Sequence, residues 1–169
     1  MTVDGPIARH LTADHARLDA LLRRATARPD AVDAASYADF RGGLLRHVAI
    51  EEKLLLPAAQ RARGGAPLAI AARLRLDHGA IAALLVPTPK PAIVETLRTI
   101  LEAHDAIEEG PDGLYATCDR LLAAEAESLV GEMAAHPQTR VSPHNDGPLV
   151  MPALRRALER AGYRLAGDA

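Results

Sequence analysis

Four apolar helical stripes in this chain are each interrupted by polar residues where the period calls for leucine. On the first candidate helix, about Pro6 to Ala27, Ile7, Leu11, Leu18, Leu22 and Ala25 recur in steps of four, seven, four and three. That is one face of a helix, and His15 fills the seven-residue gap. The second runs from an expected N-cap at Ser36 to Gly64-Gly65, a glycine stop. Its stripe is Tyr37, Phe40, Leu44, Leu54 and Ala58, with His47 and Glu51 in the missing places. Pro57 is expected to kink this helix or weaken its last turns. The third, from about Pro67 to just before Pro87, has Ala71, Leu74, Ile81 and Leu85 around His78. The fourth, from Pro91 to about Glu109, leads from Ile93, Leu97 and Ile100 to His104 and Glu108.

The rest of the chain fits an all-α protein. Aromatic residues are 2% of the 169 residues, which disfavours an all-β sandwich or barrel. Most of the apolar content is Ala and Leu, both good helix formers. Short connections between the four helices predict an up-down-up-down four-helix bundle. Beyond a break at Gly110-Pro111-Asp112-Gly113, an amphipathic segment runs from about Leu114 to Ala135. A Pro-containing loop and a short helix, about Met151 to Gly162, add a C-terminal helical segment. The predicted organisation is a helical bundle over residues 1–135, with residues 136–169 packed on the same domain.

Several function classes are disfavoured by composition. A net charge of −2 argues against a nucleic-acid binder. No apolar run approaches the roughly 20 residues of a membrane span. The opening Met1 to Pro6 has neither a basic nor an apolar targeting region, so a cytoplasmic location is expected. The single cysteine, Cys118, rules out an internal disulfide and any cysteine-built metal site, and is expected to be a small buried hydrophobe.

The polar interruptions form a twofold repeat. A lone His, His15, is followed one helix later by His47-x-x-x-Glu51; His78 is then followed by His104-x-x-x-Glu108. Residues four apart lie one above the other on a helix. Counting from the connections at about 1.5 Å per residue, His15 and His47 fall within roughly 3 Å of one height, and Glu51 and His78 are level. His78 and His104 differ by roughly 8 Å on the same count. Buried His and Glu are costly unless paired or bound to a metal. Imidazole with carboxylate suits iron, zinc, copper or nickel. Each His-x-x-x-Glu alone is weak, since His and Glu are common in the chain, and a lone core His is ordinarily just hydrogen-bonded. The joint pattern is what points to metal; a metal-free polar core in a helical interaction domain is the alternative. His10-x-x-x-Asp14 and His15-x-x-x-Asp19 share the spacing and are read as surface contacts.

The ordered set His15, His47-Val48-Ala49-Ile50-Glu51, His78, His104-Asp105-Ala106-Ile107-Glu108 resembles the hemerythrin-like, or HHE cation-binding, domain family. Asp14-His15, Glu51-Glu52 and Leu55-Leu56-Pro57 are also typical of it. The resemblance covers about residues 6–125. It implies a four-helix bundle holding a non-haem centre of two iron ions bridged by the two Glu, with zinc or another divalent ion as a possible substitute. It also implies His15, His47, Glu51, His78, His104 and Glu108 as the ligands. Oxygen-carrying members have a further His one turn before that of the third helix, where this chain has Leu74, and a carboxylate five residues after the last His, where it has Glu109. The set is therefore closer to oxygen- or iron-responsive members and to proteins that repair damaged iron centres. Those repair proteins commonly carry a cysteine-bearing N-terminal domain, which a first helix starting near residue 6 leaves no room for.

The function expected from this resemblance is a metal-binding protein that senses, stores or responds to oxygen, nitric oxide or iron. Its partner would be a small diatomic or oxygen-derived ligand. The alternative is a di-iron enzyme of peroxide or nitric-oxide detoxification or of iron-centre repair. No flavin or nicotinamide fingerprint accompanies the set to supply electrons, which favours binding over catalysis. Three further residues are singled out: Glu109 in reserve for Glu108; Tyr115 as a hydrogen-bonded structural tyrosine, with a reach back toward the metals as the alternative; and His144, in the late loop, as a fifth imidazole only if that loop folds over the bundle end.

Overall fold

A computed structural model describes residues 5–168; the reading of Met1–Asp4 as lacking a targeting region lies outside them. All regular elements among the described residues are helical: α1 (Pro6–Ala25), α2 (Ala34–Ile50), a π-helical turn (Glu51–Leu55), α3 (Leu56–Ala62), α4 (Ala71–Leu84), α5 (Pro91–Glu109), α6 (Leu114–Leu121), α7 (Ala126–Ala135) and α8 (Val150–Ala161). The all-α expectation holds. The described residues form two compact units, one of residues 5–69 and 106–141, the other of residues 70–105 and 142–168.

In the first unit α1 packs against α2, α6 and α7, and α3 packs against α6. The α1 stripe faces inward as expected, with Ile7, Leu11, His15, Leu18, Leu22 and Ala25 all buried. Pro6 at the start needs no helical partner for its nitrogen. The next two free amides, of Ile7 and Ala8, donate at 2.9 Å to the two carboxylate oxygens of Asp119 on α6. A negative side chain at a helix N-terminus is also favoured by the helix dipole. This remote cap fixes α6 against the start of α1.

The second helix differs from expectation in two places. Asp33, not Ser36, is its N-cap: the Asp33 side chain accepts from the Ser36 amide at 2.8 Å. Lower down, the π turn intervenes between α2 and α3. A proline ring clashes with the carbonyl four residues earlier, which for Pro57 is Lys53. Widening the turn over Glu51–Leu55 opens that spacing, and the Leu56 amide reaches back five residues to the Glu51 carbonyl. The extra residue moves the inward position on by one. Leu55 is fully buried, whereas the expected Leu54 is only partly so. Gly64 and Gly65, at φ 67° and 97°, end the helix in a conformation that suits glycine.

Downstream, α5 ends at Glu109 and the chain reverses through Gly110–Gly113 into α6. The Gly113 Cα lies so close to the Ile107 and Glu108 carbonyl oxygens that a Cβ would stand 2.5 Å from both. The turn therefore needs glycine there. The segment expected over Leu114 to Ala135 is broken into α6 and α7. Arg46 of α2 closes the end of α7 by donating to the carbonyls of Met133, Ala134 and His136. Cys118 is fully buried, and burial, with Asp119 and Glu51 adding to it, pushes its thiol up to about 12.

In the second unit α4 packs against α8. Helix α4 begins at Ala71, later than Pro67, and buries Ala71, Leu74, His78 and Ile81. Along α5, Ile93, Leu97, Ile100 and His104 are buried. Helix α8 is the expected short C-terminal helix; it buries Leu154, Ala157, Leu158 and Ala161 and ends at Gly162, φ 84°. The 142–149 loop is tied down by Asp146, which accepts from the Thr88 amide and hydroxyl at 2.9 and 2.7 Å.

Candidate metal centre

In the first unit four buried side chains of the expected set converge. Helix α1 contributes His15, α2 His47, the first residue of the π turn Glu51, and the last turn of α5 Glu108. One donor atom from each lies within 4.8 Å of the others. His15 Nε2 is 3.0 Å from His47 Nε2 and 3.4 Å from Glu108 Oε2, and His47 Nε2 is 3.2 Å from Glu51 Oε1. Glu51 and Glu108 have no exposed surface.

The other ring nitrogens are held by carboxylates. His47 Nδ1 donates to Asp14 Oδ2 at 2.9 Å, and His15 Nδ1 donates to Glu109 Oε1 at 2.7 Å. A carboxylate can only accept, so each imidazole keeps a proton on Nδ1, and Nε2 is left as the atom that faces the cluster and would give its lone pair to a cation. This is how histidines that ligate metals are ordinarily oriented. Glu109, expected in reserve for Glu108, is here the partner of His15 Nδ1, and Asp14 is the partner of His47 and Arg17.

The electrostatics of the cluster favour positive charge. Burial alone would depress the His47 imidazolium; the Glu51 carboxylate, the bond to Asp14 and the Glu108 charge outweigh it and hold it at about 10. Burial also works against the Asp14 charge, but hydrogen bonds from His47 and Arg17 keep its carboxyl down at about 2. Two imidazole nitrogens and two carboxylates brought within 4.8 Å of one another are a donor set that could hold a cation. Their spacing agrees: around a first-row ion with bonds of about 2.1 Å, neighbouring donors lie about 3.0 Å apart in an octahedron and about 3.4 Å apart in a tetrahedron.

Tyr115 is hydrogen-bonded, as expected, and its partners are the members of this cluster. Its hydroxyl is 2.7 Å from Glu51 Oε1, 3.0 Å from Glu108 Oε2, 3.0 Å from His15 Nε2 and 3.3 Å from His47 Nε2. Burial first, and then the Glu51 and Glu108 charges, raise the phenol well above its ordinary value. Two features place it: the tight turn at Gly113, and Asp119, one turn further along α6, anchored on the start of α1.

The second unit holds His78 and His104, both buried, with ring centroids 4.9 Å apart and edges turned to one another. His104 Nδ1 lies 3.3 Å from Asp77 Oδ2, and Asp77 is paired with Arg73 at 3.0 Å. Each lone His of the repeat is therefore preceded by an Asp that faces the His of the following His-x-x-x-Glu: Asp14 faces His47, and Asp77 faces His104. Neither Asp was singled out from the sequence as a positioning group. The repeated Asp-His dipeptide was the signal available. His144 is exposed, and His10 and His136 are partly exposed.

No described helix is long and apolar enough to cross a membrane. No curated protein and no solved structure matched the chain. A family model does match: the hemerythrin HHE cation-binding domain, over residues 7–136.

Proposed function

The chain belongs to the hemerythrin HHE cation-binding family, and on that footing we propose that it is a non-haem iron protein which binds a small diatomic or oxygen-derived ligand. Its role would be to sense, store or respond to oxygen, nitric oxide or iron. The observation that carries this reading is the convergence of His15 Nε2, His47 Nε2, Glu51 and Glu108, with both Nδ1 atoms tied to carboxylates. The proposed ligand set for two iron ions is His15, His47, Glu51, His78, His104 and Glu108. His15 and His47 are the nitrogen donors of one ion, and His78 and His104 those of the other. Iron, when bound, supplies redox chemistry and a coordination position open to an exogenous ligand.

The protein's own contribution is to hold the donors and keep water out. Asp14 and Glu109 fix two imidazole tautomers, and Asp77 lies beside a third ring. Burial of Glu51 and Glu108 leaves them dependent on positive charge within the protein, which favours retention of a cation. Leu74, fully buried one turn before His78, offers no donor where oxygen carriers have an imidazole. The set therefore fits ligand-responsive binding better than plain oxygen carriage.

The test is metal content after anaerobic loading with Fe(II), followed by gel filtration and metal analysis. About two iron ions per folded chain is expected. A folded protein that retains none refutes the reading, and one that retains a single ion refutes the part assigned to His78 and His104.

A further inference from the structure

We propose that Tyr115 is itself a ligand, supplying a phenolate oxygen to the ion held by His15, His47, Glu51 and Glu108. The proposal rests on the metal-binding reading above and adds a donor to it. Its basis is geometric. The phenol oxygen stands 2.7, 3.0, 3.0 and 3.3 Å from one donor atom of each of the four residues. Those donors stand 3.0, 3.2 and 3.4 Å from one another where they are neighbours. Four edges of 2.7–3.3 Å to one apex, over three base edges of 3.0–3.4 Å, match the spacing of half an octahedron. For edges of about 3.0 Å the centre of that base is about 2.1 Å from all five atoms, an ordinary bond length for nitrogen and oxygen donors on a first-row ion. A hydroxyl donating to one carboxylate from outside the cluster would be close to that carboxylate and farther from both imidazoles. Tyr115 stands 3.0 Å from a member of each kind, Glu108 and His15, and within 3.3 Å of all four.

The chemistry is consistent with the placement. A ferric ion is hard and prefers anionic oxygen, and a bound cation inverts the field that otherwise disfavours a phenolate beside two carboxylates. On binding, the Tyr115 O–H bond breaks, an oxygen–iron bond forms and the proton leaves to solvent; no electron moves in this step. The backbone supports a fixed position for the ring, since Asp119 anchors α6 on α1 and Gly113 permits the close turn.

The experiment loads the full chain with Fe(II) anaerobically, oxidises it to Fe(III) with a small excess of ferricyanide and removes the reagent. Iron content, visible absorption and resonance Raman spectra are then recorded for wild type, Tyr115→Phe and Tyr163→Phe. Wild type and Tyr163→Phe should show a phenolate-to-iron charge-transfer band with tyrosine ring modes. Tyr115→Phe should lose both while keeping its iron. Growth on ring-deuterated tyrosine should shift those modes in the wild type, a result that stands even if Tyr115→Phe fails to fold. Iron bound without the band or the ring modes overturns the assignment and leaves the metal site standing. The band persisting unchanged in Tyr115→Phe also overturns it. No iron in the folded wild type overturns both readings.

Discussion

The contact between Asp14 and His47 offers a quantitative test of how the site is held. Asp14→Asn keeps the size of the side chain but removes its charge. The wild-type bond is 2.9 Å long, its imidazole is almost wholly buried, and the carboxylate is 15% exposed. Neutralising a carboxylate that orients a metal-bound histidine weakens metal binding by about 10- to 100-fold, or roughly 1.4–2.7 kcal/mol. The bond here is short and buried at the histidine, so the upper half of that range is expected. Asp14 also pairs with Arg17 at 2.8 Å, but that guanidinium is about half exposed. Exposed pairs contribute about 0–1 kcal/mol. Arg17→Ala should therefore leave Fe(II) affinity within about twofold of wild type. The assay is anaerobic competition against a chromophoric Fe(II) chelator, with circular dichroism to confirm folding. Equal affinities for wild type, Asp14→Asn and Arg17→Ala would refute the idea that the carboxylate prepares His47 for a metal.

Four further outcomes are expected. Removing metal by chelation should lower the melting temperature: ligand at a hundred times its dissociation constant stabilises by about 2.7 kcal/mol, and each kcal/mol is about 2–4 °C in a chain of this size, as scanning calorimetry would read. Glu51→Ala or Glu108→Ala should reduce bound iron, measured by metal analysis, far more than Glu95→Ala or Glu127→Ala, whose side chains are exposed. Because His47 is raised to about 10 in the fold, its protonation contributes stability that is complete below about 6.5, its unfolded value, and lost as pH rises through 10. Denaturant melts of chelated protein should thus weaken across that window, and His47→Gln should flatten the dependence. Gly113→Ala should cost about 1–3 kcal/mol in the same melts, because the new methyl meets the Ile107 and Glu108 carbonyl oxygens; an unchanged midpoint would mean the turn relaxes freely.

Legibility from the sequence followed the reach of the interactions involved. The faces of α1, α4 and α5 depend only on helical period, and His15, His78 and His104 are buried where the stripes predict. On the second helix the period held as far as Glu51 and then slipped, from Leu54 to Leu55. Pro57 was visible, but proline permits either a kink or a widened turn, and the outcome depends on how the following residues pack. The choice between Ser36 and Asp33 as N-cap failed for a local reason: both residue types cap helices, and here one caps by accepting from the other's amide. Which partners Tyr115 bonds was not legible, because its position depends on contacts 112 and 111 residues apart in sequence, between Asp119 and the amides of Ile7 and Ala8. No periodic pattern encodes such a contact.

The repeat in the sequence implies two equivalent halves, yet the side chains around its two pairs of imidazoles differ in kind. In the first unit, His15 and His47 have a carboxylate on each Nδ1 and a phenol oxygen beside each Nε2. In the second, Asp77 beside His104 also takes a guanidinium, from Arg73, and the tyrosine of that unit, Tyr163, accepts from the same Arg73. Asp14 is likewise shared with a guanidinium, from Arg17, so what differs is the separation from the histidine: 3.3 Å for Asp77, against 2.9 Å for Asp14, a longer and weaker contact. Imidazoles less firmly held by a carboxylate and without an added phenolate make the weaker site. Iron should therefore fill the His15–His47 position first and leave it last, so a protein loaded with one equivalent should already have its full phenolate band.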